Sequence, residues 1–176
     1  MGEAFRRLLQ AVRLERDAFV WMDFNDRATG DAVIFVSLTA LGLLRSRGAS
    51  FFGLVTSVGG INALFSSLLD GVIFWLVYSG LVLFVVRMLF QAPAKYPMLL
   101  RVAGFAYPTL LVGIFTTKLG LSGLVGFLLG TVWFLAVVAK GVRYESDLRP
   151  ARAYAAVGLA MVLWIVVSAI LGPGLI

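Results

Sequence analysis

A chain of 176 residues with 61% hydrophobic side chains, 14% charged ones and a mean hydropathy of +0.98 is far more apolar than a soluble domain, where about 45–50% apolar and about 25% charged residues are usual. It has a net charge of +6 and neither Cys nor His, which excludes disulfides, thiolate nucleophiles, imidazole bases and the usual zinc, haem and chlorophyll ligands. The composition predicts an all-α membrane protein that is not an enzyme and holds no cofactor: no stoichiometric metal, haem or flavin.

The first 27 residues carry charges of both signs and lack a short apolar core ahead of a small-residue cleavage site, so the mature chain is expected to keep this N-terminus. Residues 3–22 predict one amphipathic helix. Phe5, Leu8, Leu9, Val12, Phe19 and Met22 share one side; Glu3, Arg6, Arg7, Arg13 and Asp17 take the other, and Arg16 intrudes on the apolar arc. Such a helix either lies among the headgroups of anionic lipid or packs on the protein's own loops.

Apolar stretches follow at about 28–45, 51–86, 102–117, 119–139 and 153–172, each span needing about 20 apolar residues. The second would make a helix of about 54 Å, too long for one crossing and slightly short for two with a turn. Charge arbitrates. With five spans and a cytoplasmic N-terminus, twelve of the fifteen cations fall inside: Arg6, Arg7, Arg13, Arg16 and Arg27, then Arg87, Lys95 and Arg101, then Lys140, Arg143, Arg149 and Arg152. Six spans would erase that bias. The expected spans are therefore about 28–45, 68–88, 102–117, 119–139 and 153–172, with 51–66 an outer interfacial or re-entrant helix bent at the glycines of "TSVGGIN". The whole chain, 1–176, reads as a single membrane domain with its C-terminus outside, in a prokaryotic inner membrane.

Several residues are candidates for chemistry. Asp70 is the only carboxylate between Asp31 and Glu145, and an intramembrane acid suggests a proton or cation site. Asp70 and Arg87 would lie about 26 Å apart along a helix, near opposite membrane faces, so the favoured reading makes Asp70 a first-turn residue stabilised by the helix dipole. "DFNDRATGD" looks like a calcium loop, but Arg27, Ala28 and Ile34 stand where ligand, glycine and glutamate belong. It reads instead as a cytoplasmic rim: Asp23 and Asp26 pairing with Arg27, Arg143, Arg149 or Arg152, and Asp31 facing the dipole of the first span. The same charges form the candidate partner-binding surface. Gly123, Gly126 and Gly130 mark a close helix approach, within the bundle or to a partner subunit, and Pro108 predicts a kink in span three.

The order of these features, with "RDAFVWMDFNDRATGDAVIFVSLTAL", "RVAGFAYPTLLVGIF" and "TVWFLAVVAKGVRYESDLRPARAYAAVGL", resembles prokaryotic members of the Yip (Ypt/Rab-interacting protein) membrane family over most of the chain. The resemblance implies five spans and a cytoplasmic N-terminus. Eukaryotic relatives look like vesicle-traffic factors that engage small GTPases. This chain lacks their long N-terminal region and its "DLYGP" type of motif, which argues against a small-GTPase partner.

Three functions follow as expectations. The leading one is a non-catalytic adaptor or accessory subunit. It would bind other integral membrane proteins, in a larger complex, through helix faces and the charged rim, with anionic lipid at the N-terminal helix and no nucleic acid. The alternative is a small ion- or proton-coupled carrier using Asp70. The third is a membrane-embedded enzyme acting on lipid through Asp23, Asp26 and Asp31, which needs a metal or base that the chain does not obviously supply.

Overall fold

The computed structural model describes residues 2–46, 56–120 and 122–171, and among them every regular element is helical. Five helices are long and apolar enough to cross a membrane: Arg27–Arg45, Val58–Met88, Tyr96–Thr116, Gly123–Ser146 and Pro150–Ile170. The side chains they leave exposed fit that environment, among them Leu38, Leu76, Phe84, Phe127, Val132, Val162 and Ile165.

The expected single helix over 3–22 is two, α1 (Gly2–Val12) and α2 (Arg16–Phe24). Leu14 adopts a left-handed φ of 61°. The Glu15 N–H then donates to the Gln10 carbonyl and the Leu14 N–H to that of Ala11, both at 2.9 Å, a reversal that terminates the helix in the manner usually given to glycine. A leucine there costs about 1–2 kcal/mol, offset by packing of its side chain on the core. α1 buries Ala4, Leu8 and Ala11 and leaves Phe5 and Leu9 exposed, so its apolar residues divide between the protein and the outside.

The first span, α3 (Arg27–Ser46), buries Ala28, Ala32, Val36 and Ala40, spaced one turn apart. This small-residue stripe lets the backbone of span three approach at Gly104, where an added Cβ would lie 2.5 Å from the Ala32 Cβ. The second span, α4 (Val58–Met88), corrects the expected boundary. Residues 58–66 belong to one continuous helix of 31 residues rather than to a separate interfacial helix, and 51–55 lie outside the described residues. The glycines of "TSVGGIN" start the helix instead of bending it: Ser57 caps it, its hydroxyl accepting from the Gly60 N–H at 3.0 Å.

Span three begins at Tyr96 rather than 102, because Pro97 suits a first helical turn and the apolar run already starts at Met98. It runs as α5 (Tyr96–Ala106), a 3-10 segment (Tyr107–Leu111) and α6 (Val112–Lys118). The break falls at Pro108, which has no N–H to continue the α-helical ladder. This is the central helix: 61% of its apolar window is buried, against 28–44% in the other four. The fourth span, α7 (Gly123–Ser146), starts after a Ser122 cap and continues past the expected end at 139; the fifth, α8 (Pro150–Leu171), opens on a proline. Span three packs against α3, α4 and α7, while α8 rests on α4 and α7.

Candidate functional site

Residues 23–31 lie at the end of the bundle where α2 turns into α3, and their anchor is Arg101, five residues into α5. The Arg101 side chain is 8% exposed. Its guanidinium donates to the Met22 carbonyl at 2.7 Å, the Asp23 carbonyl at 3.3 Å, the Thr29 hydroxyl at 2.9 Å and the Asp26 carboxylate at 2.6 Å. Two of these acceptors are orphan carbonyls at the C-terminus of α2, where a cation also meets the negative end of the helix dipole. The rigid guanidinium fork is used on backbone, hydroxyl and carboxylate together, so each of its three nitrogens has a partner.

The pairing expected for the rim is thereby corrected. Asp26 meets Arg101 and Asp23 meets Lys95 at 3.6 Å; among the described residues neither pairs with Arg27, Arg143, Arg149 or Arg152. Arg27 is exposed, and its backbone N–H donates to Asn25 Oδ1 at 3.1 Å. Arg143, Arg149 and Arg152 are exposed, and Asp31 is half-buried in the first turns of α3. Glu145 ties α7 to the start of α5 by accepting from the Lys95 N–H at 3.0 Å. Among the described residues no group of three His, Cys, Asp or Glu side chains is arranged to hold a metal ion, so Asp23, Asp26 and Asp31 do not converge. Arg16, Lys140 and Arg143 line a hollow of about 370 Å³ with Phe19, Tyr144 and Asp147, and none of the three has an ion pair among the described residues.

The glycines of α7 divide. Gly126 abuts the Thr116 hydroxyl and lies against Gly113, and Gly130 faces the Thr109 carbonyl and Leu110, so both are occupied by span three within the chain. Gly123 stands exposed in the first turn.

Asp70 is different in kind, and the first-turn reading of it is overturned. The helix begins at Val58, about 18 Å earlier along the axis, and Ser57 is its cap. Asp70 therefore sits within a continuous helix, still about 26 Å from Arg87. Among the described residues it has neither a hydrogen bond nor an ion pair. It lines a cavity of about 370 Å³ with Ala40, Leu43, Leu44, Ser67, Gly71, Phe74, Tyr107 and Trp164.

Tyr107, the first residue of the 3-10 segment, is 5% exposed. Its hydroxyl comes within 3.3 Å of where a Cβ on Gly71 would stand, so the glycine after Asp70 makes room for the phenol. That hydroxyl has no hydrogen bond among the described residues, whereas nearby polar groups are satisfied: Ser67 donates to the Ala40 carbonyl at 3.2 Å and Tyr78 to that of Val157 at 3.2 Å. Phe74 lines the cavity and contacts Tyr78, Tyr107, Phe134 and Trp164, ring centroids 5.2–5.9 Å apart. An unpaired carboxylate and an unpaired phenol thus share a cavity roomy enough for water or a small ligand. The sequence flagged Asp70 and Pro108 separately; Tyr107 and Trp164 carried no signal beyond being aromatic.

No protein-family model, curated protein or solved structure matches the chain.

Proposed function

We propose that the chain is a small ion- or proton-coupled membrane carrier in which Asp70 is the proton- or cation-binding group. The observation that carries this reading is that Asp70, half-buried, has no hydrogen bond or ion pair among the described residues and lines a cavity between apolar helices. A carboxylate that has only a structural role in such surroundings acquires partners, since leaving it unpaired in low dielectric is costly; a carrier site must instead leave it available for exchange. The interruption of span three supports the same reading. A change of helix type at a ligand site is a recurrent feature of carriers, and here the 3-10 segment starts at a residue of the cavity wall.

A second reading, the non-catalytic adaptor, is favoured by the cations of Arg16, Lys140 and Arg143, which have no carboxylate partner among the described residues and could receive an acidic surface of another membrane protein or anionic lipid beside α1. The Yip-like resemblance leans the same way. Gly126 and Gly130 no longer support it, being filled by span three. In either case the charge bias supports a cytoplasmic N-terminus and an external C-terminus. Reporters fused beside Gly2 and after Tyr144 should read cytoplasmic, and one after Ile176 external.

Flux decides between the two. In vesicles containing the purified chain, Asp70→Asn should abolish proton or cation flux while leaving the protein folded. Unchanged flux in Asp70→Asn, with recovery of a membrane partner lost on reversing Arg16, Lys140 and Arg143 to Glu, would replace the carrier by the adaptor.

A further inference from the structure

Resting on Asp70 as the binding group, we infer that its cavity receives a small organic ammonium ion rather than an inorganic cation. Hard inorganic cations take several oxygen ligands, as calcium does with six to eight. Among the described residues the cavity wall offers in its side chains one carboxylate, one phenol without a hydrogen bond and a serine whose hydroxyl already donates to the Ala40 carbonyl. What it offers in quantity is aromatic surface: Phe74, Tyr107 and Trp164 all line it.

An alkylated ammonium is recognised by that combination. Its charge is spread over a bulky apolar shell that needs no set of oxygen ligands, so a single carboxylate balances it while ring faces attract it and cover its alkyl groups. The rings are held in place. Trp164 meets Phe74 edge to face with centroids 5.2 Å apart and is 9% exposed; Phe74 stacks on Tyr78 at 5.3 Å; Tyr107 is braced by Phe74 at 5.7 Å and by Phe134 at 6.5 Å. The volume of about 370 Å³ falls within the range of about 300–1,000 Å³ found for small-molecule sites. Gly71 contributes by absence: any side chain there would meet the Tyr107 hydroxyl and the Ala40 methyl and narrow the space.

The test uses the full chain in lipid nanodiscs with radiolabelled tetramethylammonium, and sodium as competitor. Saturable binding should survive a hundredfold excess of sodium, vanish in Asp70→Asn, and weaken about tenfold in Trp164→Leu while Trp164→Tyr retains most of it. The wild-type competition needs no variant, so a misfolded Trp164→Leu leaves the result readable. Proton and sodium flux in vesicles separates two kinds of failure. Absent tetramethylammonium binding with flux that still requires Asp70 would overturn the ammonium assignment and leave the carrier reading standing. Absent binding with flux indifferent to Asp70→Asn would overturn both.

Discussion

Arg101 and Asp70 both stand inside apolar helices, and their surroundings are opposite. Arg101 reaches four acceptors, in Met22 and Asp23 of α2, Asp26 of the α2–α3 connection and Thr29 of α3, and it holds the N-terminal hairpin to the central helix. Asp70 reaches none among the described residues and borders a cavity. Arg101 is buried with all three guanidinium nitrogens bonded, which contributes to architecture; Asp70 is half-buried and unbonded among the described residues, which leaves its carboxylate open to whatever enters the cavity. The difference teaches that burial alone does not mark a functional charge. Unmet bonding capacity does.

The largest effect that sharpens this contrast is expected at Arg101. Arg101→Met keeps an unbranched side chain but orphans the Met22 carbonyl, so the fold should lose about 2–3 kcal/mol, read by chemical unfolding in detergent. A loss under about 0.5 kcal/mol would mean that the bonded charge is not structural after all. Asp26→Asn should matter much less than Arg101→Met, because the Asp26 carboxylate is fully exposed despite its short bond.

Next comes Gly126→Ala, which tests whether the α7 glycines are consumed internally. The new methyl would meet the Gly113 carbonyl oxygen at 2.8 Å and its Cα at 2.9 Å, a collision with backbone that should cost about 1–3 kcal/mol. Gly123→Ala, in the exposed first turn, should unfold at the same denaturant concentration as the parent chain or a higher one.

Trp133→Phe should cost about 0.6 kcal/mol, the usual scale for a hydrogen bond between membrane helices, because it removes the indole N–H that donates to the Val12 carbonyl at 3.0 Å. Hydrogen exchange should rise around residues 12–16 and stay level in α8.

The smallest stability change is expected for Asp70→Asn, within about 0.5 kcal/mol or stabilising, since no bond is lost and an unpaired charge is removed. A large destabilisation would show that Asp70 has a structural partner and would erase the contrast with Arg101.

Five helices of membrane-crossing length were legible because runs of apolar residues and the few charges between them are a strong signal. Their ends were less so. The α1–α2 break uses Leu14 in a conformation that neither glycine nor proline announces, and α4 runs on through Gly59 and Gly60 because apolar residues continue beyond them. Arg101 was readable as a lone charge between "PMLL" and "VAGF", yet its partners are 72–79 residues away, and distance of that kind leaves no local trace. Asp70 was readable as a candidate proton or cation site, but the cavity beside it was not. Its meaning depends on where the helix starts and on Tyr107 and Trp164, brought to it by packing alone.

The clamp on the N-terminal hairpin has a consequence in time. Chains emerge at about 5–20 residues per second, so roughly 4–16 seconds separate synthesis of Met22 from that of Arg101. Throughout that interval the last carbonyls of α2 have no guanidinium to meet, and the indole of Trp133, 121 residues beyond Val12, arrives later still. Docking of α1 and α2 therefore comes after insertion of the first two spans and waits for the third, so a nascent chain arrested before residue 101 should expose its N-terminal segment to protease, and one released after residue 133 should protect it.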